Sequence, residues 1–202
     1  MCDRTTGSQL DDPRTSDETL AERARRGSGA AFAALVRLHA EAVYAIARNM
    51  SATARDAEEV VRAAFLSAWS ELRSFQAGDS FKTWLYGIAM KTALAHREAQ
   101  RRSPWGSLEE LLPDFDHAGR LVESKGRWPE LDGSPSEQIR VTGLLREALE
   151  CIDDGTRAAF VLRDLVRLPV EDVAMILQKS PQGVNQDAHR ACLMLRGFVD
   201  GL

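Results

Sequence analysis

The sequence predicts an all-α protein: two small helical domains joined by a flexible acidic linker, the C-terminal one carrying a helix-turn-helix. Three observations predict it. Apolar residues recur at helical spacing along most of the chain, with no strand-like alternation worth keeping. Between residues 103 and 135 that periodicity is broken by Pro104, Gly106, Pro113, Gly119, Gly126, Pro129, Gly133 and Pro135. Near the C-terminus two short apolar stripes, Val170-Val173-Ala174-Leu177 and Val184-Ala188-Ala191-Leu195, flank a turn of about four residues. The expected boundaries are a disordered tail over 1–16, a first domain over 17–102, the linker over 103–135 and a second domain over 136–202.

The tail is polar and acidic and lacks the apolar core of a secretory signal. A short charged helix is expected from Asp17 to Arg26, ended by Gly27-Ser28-Gly29. Residues 30–50 then set Phe32, Leu35, Val36, His39, Val43, Ile46, Ala47 and Met50 on one face, which predicts a long helix with His39 packed rather than catalytic. Asp56 can cap the next helix, with Glu59 three residues on as in a capping box. Its buried stripe reads as Val61, Phe65, Ala68 and Leu72. Phe65, Leu66 and Trp69 cannot all face inward at that spacing. Either an apolar edge is left for a partner helix, or Trp69 covers the rim of the core.

Gly78-Asp79 interrupts the pattern, and Ser80 can cap a helix from Phe81 whose buried face is Phe81, Trp84, Leu85, Ile88 and Ala89. Lys82, Lys91, Arg97, Arg101 and Arg102 make this helix basic. Aromatics mixed with bases suit single-stranded nucleic acid, because bases stack on rings while cations follow the phosphates. A core aromatic cluster with a solvated basic end fits the same pattern, and fits Trp84 better. Beyond the linker, Ile139, Leu144, Leu145, Leu149 and Ile152 mark a helix from Ser136, broken at Asp153-Asp154-Gly155, and another helix covers 156–165.

In the helix-turn-helix, Ser180 can cap the second helix and Pro181 suits its first position, where a missing N–H is harmless. Gln182, Asn185, Gln186 and His189 fall on its outer face, and such side chains read base edges in a major groove. A polar outer face can equally be only solvated. Asp187, beside them, would meet phosphate repulsion.

Composition narrows the classes. The 202 residues are 44% hydrophobic, ordinary for a globular chain, with no apolar run long enough to suggest a membrane span. The net charge of −4 argues against a nucleic-acid binder until it is located. Residues 103–135 hold seven acids against three bases, and the remainder is balanced. Three scattered cysteines argue against a disulfide framework, and the four histidines have no metal-ligand spacing. No nucleophile–base pair or phosphate loop argues for an enzyme.

Four stretches together resemble the RNA polymerase sigma factors of the extracytoplasmic-function type. AAFAALVRLHAEAVYAIA resembles the first helix of region two, and DAEEVVRAAFLSAWSELRSF the helix that docks on core polymerase. FKTWLYGIAMKTALAHREAQRR resembles the promoter-melting, minus-ten-reading segment. RAAFVLRDLVRLPVEDVAMILQKSPQGVNQDAHRACLMLR resembles region four. The resemblance implies polymerase contact by Asp56, Glu59, Val60, Phe65, Leu66 and Trp69. It implies minus-ten contact by Phe75, Asp79, Ser80, Lys82, Tyr86, Lys91, Arg97, Arg101 and Arg102, the loop over 75–80 cradling an unstacked base while the later cations hold phosphates. It implies minus-thirty-five contact by Lys179, Ser180, Gln182, Gly183, Asn185, Gln186, His189 and Arg190.

The partners it implies are core RNA polymerase, promoter DNA and an anti-sigma protein. It implies a cytoplasmic factor that is not an enzyme, with no cofactor, no metal, no membrane insertion and no small-molecule substrate. The chain departs from the family pattern at Lys91, often Asn, at Ala95, often acidic, and at Gln178, commonly Gly. Asn185 and Asp187 stand where bases are usual. Two alternatives stay open: a simple helix-turn-helix regulator, and a sigma-like interaction module with weak DNA recognition.

Overall fold

The structure, a computed structural model, describes residues 16–76, 80–101, 143 and 148–200, with residues 198–200 as backbone only. The tail before Ser16, the acidic linker and most of the helix expected from Ser136 lie outside the described residues. The elements are α1 (Asp17–Arg25), α2 (Gly29–Met50), α3 (Ala54–Glu71), α4 (Phe81–Arg101), α5 (Asp154–Phe160), α6 (Val170–Leu177) and α7 (Pro181–Asp200). A 3-10 turn, Leu72–Ser74, extends α3, and a π-helical stretch, Val161–Leu165, extends α5. Among the described residues there is no strand.

Local chemistry sets the helix starts. The Ser16 hydroxyl accepts from the Thr19 N–H, and the Ser28 hydroxyl from the Ala31 N–H. Between them Gly27 turns the chain at φ +99°, a conformation that side chains disfavour. Thr53, not Asp56, caps α3. Its hydroxyl accepts from the Asp56 N–H while the Asp56 carboxylate accepts from the Thr53 N–H, a reciprocal box one turn earlier than expected. Asp153 likewise caps α5 by accepting from the Thr156 N–H, so Asp154 and Gly155 open that helix rather than break the chain.

α1 to α4 form one bundle. α2 is long and apolar enough to cross a membrane, but Val43, Ile46 and Ala47 are fully buried, so its apolar face belongs to the core. Each large side chain so buried stabilises by roughly 1.5–3 kcal/mol. On α3 the buried stripe is Ala57, Val60, Ala64 and Ala68, with Leu72 beyond, rather than Val61 and Phe65. Three alanines facing inward let α3 approach its neighbours closely and leave its large side chains at the edge.

α5 to α7 form the second group. Val184, Ala188, Ala191 and Leu195 are buried as expected, and residues 148–152 pack against the far end of α7. The two groups pack against each other. Ala159, Leu162, Val173 and Val184 belong to the same apolar core as α1 to α4. Polar contacts reinforce the joint. The Thr83 hydroxyl donates to Asp172 at 3.0 Å, and Ile176 packs over Gly87. Arg157 is 0% exposed, and its guanidinium donates to the Asn49 carbonyl and, at 2.9 Å, to Glu150.

Candidate nucleic-acid interface

The helix-turn-helix ends α6 on Gln178, which holds the left-handed conformation at φ 53°. A side chain there costs roughly 1–2 kcal/mol relative to glycine. The Gln178 and Lys179 N–H groups satisfy carbonyls of the last turn of α6, which offsets that strain. Ser180 then accepts from the Gly183 N–H at 3.1 Å and fixes the start of α7. Gln182, Asn185, Gln186 and His189 are exposed, as the sequence predicts, and so is Arg190.

Two contacts reshape this face. The Lys179 ammonium donates to the Asp187 carboxylate, so the charge of the acid is countered while Lys179 stays exposed. Arg163, in the π-helical stretch, donates to Asn185 Oδ1 at 3.1 Å and to Asp164 at 3.0 Å. Arginine carries only donors, so the Asn185 atom facing it is the amide oxygen, and the amide N–H groups are left outward. Neither Arg163 nor the Lys179–Asp187 pair was legible as part of this face, because each partner lies a turn or an element away.

On α3, Leu66 is 63% and Trp69 45% exposed, while the Trp69 ring also packs, tilted, against Phe32 at 4.9 Å between centroids. The edge is therefore open and yet anchored. Phe65 and Asp56 are half-buried and Glu59 exposed. Val60 is 1% exposed and packs in the core, so it does not join that edge. Hydrogen bonds from Thr53 hold the Asp56 carboxyl below its usual range. Asp56, Glu59 and His96 bring one ligand atom each within 4.8 Å of the others, a cluster that spans α3 and α4 and that histidine spacing alone could not reveal. Asp56 is already committed to Thr53, and Glu59 lies near both Arg55 and His96.

The basic helix α4 differs most from expectation. Phe75 is buried, in ring contact with Phe81 and Trp84, and Trp84 belongs to that cluster. Tyr86 is 3% exposed and hydrogen-bonds His39 Nδ1 at 3.2 Å, so neither ring is free to stack on a base in this conformation. Lys82 is half-buried, its ammonium 5.8 Å from the Tyr86 ring centre. Ser80 caps α4 by accepting from the Thr83 N–H, and Lys91 is exposed. Asp79 and Arg102 lie outside the described residues.

Arg97 and Arg101 do not face solvent as a pair. Arg97 contacts Glu150 at 2.7 Å and Asp154 at 2.6 Å and reaches the Met50 carbonyl at 3.4 Å. Arg101 meets the same Asp154 at 2.9 Å. Burial alone would raise the Glu150 carboxyl; the Arg157 and Arg97 guanidiniums outweigh it and hold the group ionised below its usual range. Sequence reasoning missed Glu150 and Asp154 as part of this site. Glu150 lies within a helical pattern, and Asp154 reads as a helix breaker.

Comparison with known proteins follows the same division of the chain. Residues 35–103 match the family described as sigma-70 region 2, and residues 142–195 the family described as sigma-70, region 4. The RNA polymerase sigma-H factor of Pseudomonas aeruginosa is 30% identical over 166 residues, covering 80% of this chain and 82% of that protein. The ECF RNA polymerase sigma-E factor of Escherichia coli is 32% identical over 164 residues, covering 80% and 83%. Among solved structures, CnrH in complex with the cytosolic domain of CnrY superposes with a TM-score of 0.64 at 24% identity, over 91% of this chain and 97% of that one. The sigma factor RpoE of Bartonella quintana, in complex with the anti-sigma factor NepR, gives 0.61 at 23%, over 83% and 96%. At these identities the structural likeness speaks for the fold.

Proposed function

The chain belongs to the extracytoplasmic-function branch of the sigma-70 family, and from this we infer that it binds core RNA polymerase and directs transcription initiation at a dedicated promoter set. One observation carries the reading beyond the resemblance. A single chain pairs an exposed apolar edge, Leu66 and Trp69, with a helix-turn-helix whose polar face stands in solvent. A simple helix-turn-helix regulator has no use for that edge.

In this reading Leu66, Trp69 and Phe65, rimmed by Asp56 and Glu59, dock on a polymerase helix. Aromatic anchors in such a contact typically dominate its binding energy. Gln182, Asn185, Gln186, His189 and Arg190, with Lys179, Ser180 and Gly183 at the turn, meet the minus-thirty-five element. Lys82, Lys91, Arg97, Arg101 and Arg102 hold phosphates near the minus-ten element, where Ser80, Asp79, Phe75 and Tyr86 border the base pocket. The burial of Phe75 and Tyr86 means that this pocket must rearrange when DNA binds. The factor acts by binding rather than by catalysis, in the cytoplasm, where polymerase and promoter are. An anti-sigma protein is a further proposed partner, since two solved structures of the same fold are complexes, one of them with a named anti-sigma factor.

The test is co-elution of the purified chain with core polymerase, followed by run-off transcription from a promoter library. Specific transcripts are the expected result. Failure of the folded chain to co-elute would overturn the reading and favour the simple regulator. Co-elution without transcripts from any library promoter would favour the interaction module.

A further inference from the structure

We propose that Asp56, Glu59 and His96 form a binding site for a divalent transition-metal cation of the zinc class, joining α3 to α4 beside the apolar docking edge. The sequence gives no hint of it, because the two acids and the imidazole stand on different helices.

Geometry makes the first argument. Asp56 meets Gln100, while Glu59, a turn later on α3, meets His96, a turn earlier on α4, so the two helices run antiparallel here. Asp56 and Glu59, three residues apart, share one helix face. One ligand atom from each of Asp56, Glu59 and His96 lies within 4.8 Å of the other two. His96 Nε2 and Glu59 Oε2 are 3.8 Å apart, too far for a hydrogen bond. Two ligands each about 2.1 Å from a tetrahedral zinc stand about 3.4 Å from one another, so small side-chain rotations close the set on one ion. The groups converge without satisfying each other, and a cation completes them.

Chemistry makes the second. Asp56 is already oriented: the Thr53 N–H and hydroxyl donate to its Oδ2 at 3.3 and 2.6 Å, and Gln100 adds a side-chain hydrogen bond to the carboxylate. Such outer hydrogen bonds fix a ligating carboxylate. The competitor for Glu59 is weak, since Arg55 lies 3.6 Å away on a side chain 88% exposed. His96 is half-buried, which holds its ring near the acids. One imidazole nitrogen with two carboxylate oxygens suits zinc rather than magnesium or calcium, which favour oxygen ligands throughout. Three protein ligands leave a fourth position for water. A bound dication cancels the two negative charges at the rim of Leu66 and Trp69 and engages both carboxylates. Metal therefore competes with polymerase. That consequence rests on the docking reading; the site itself does not.

The experiment uses the full chain. Calorimetric titration with Zn2+ reads the stoichiometry, and thermal unfolding reads the linkage. One ion per chain is expected, with Tm raised by roughly 5–11 °C at about a hundred times the dissociation constant. His96→Gln and Glu59→Gln, both at the surface, should each weaken binding by at least about tenfold, the loss that even an outer partner of a metal ligand causes. Zn2+ binding unchanged in both variants overturns the site, as does no binding by the parent chain. Mg2+ bound as tightly as Zn2+ overturns the zinc class and leaves an acidic patch only. For the competition, affinity for core polymerase is measured with and without Zn2+ in the parent chain and in His96→Gln, which keeps every docking residue. A fall of about tenfold in the parent alone is expected. An equal response in both overturns the competition and leaves the metal site standing. Failure to dock even without Zn2+ overturns the docking reading, and the titration still decides the site.

Discussion

Arg157→Met tests the joint between the two helical groups. The guanidinium is fully buried, donates to the Asn49 carbonyl and to Glu150, and leaves Nη1 without a partner. Burial lowers its pKa, opposed by Glu150. Methionine roughly fills the volume but donates nothing. The Asn49 carbonyl then loses its side-chain donor, at about 1–3 kcal/mol. Glu150 loses one charged partner but keeps Arg97 at 2.7 Å, so the full 3–5 kcal/mol of an orphaned buried charge does not apply. A net loss of about 3 kcal/mol follows. In a cooperative unit of this size, that lowers Tm by roughly 6–12 °C. Thermal unfolding followed by circular dichroism checks it. Salt should change the difference little, because a buried pair is poorly screened. A drop under about 2 °C, the behaviour of a surface pair, would refute the buried joint.

Trp69→Ala should weaken polymerase binding by roughly 30-fold, a hot-spot loss of about 2 kcal/mol, with only a small change in Tm; unchanged binding with lowered stability would return Trp69 to the core rim. Asp187→Asn should release Lys179 and raise promoter affinity at low salt, steepening the salt dependence by about one phosphate contact. An unchanged slope would mean that Lys179 does not reach the backbone. Arg163→Ala should free the Asn185 amide oxygen, which a two-bond contact to adenine requires, and shift base preference at the contacted position toward adenine by about 1 kcal/mol in a randomised-site selection. No shift would mean that Arg163 does not orient the contact. His39 has its pKa lowered, first by burial, with Asp17 opposing and Lys82 reinforcing, while Tyr86 bonds its Nδ1. The unfolded chain therefore takes up a proton before the folded one does. Stability should be fully present above about pH 6.5 and fall as pH drops from there toward the folded value. His39→Gln should flatten that part of a Tm–pH curve, and a slope unchanged by the substitution would exclude His39 as its source.

Much of the fold was legible because its signals are local. The caps at Ser80 and Ser180, the stripe on α7 and the packed His39 each follow from residues within one or two turns. Where the reading failed locally, a neighbour competed better. Thr53 lies one turn ahead of Asp56, and the small alanines of α3 outcompeted Val61 and Phe65 for the inner face, since close helix approach favours them. By itself, then, the sequence determined the helices and the polar outer face of α7, because a helix repeats every few residues and each turn carries its own instruction; it left open whether the large side chains of α3 form an edge or cover the core rim, and the packing of Leu66 and Trp69 decided that. Only the tertiary structure decided what covers Arg97. Asp154 lies 57 residues away, across the linker, and whether a cation faces solvent, a phosphate or an acid of its own chain depends on which surfaces pack together. Asp187 and Asn185 were likewise readable as residue types, but their partners Lys179 and Arg163 meet them only once the turn and the π-helical stretch are folded around α7.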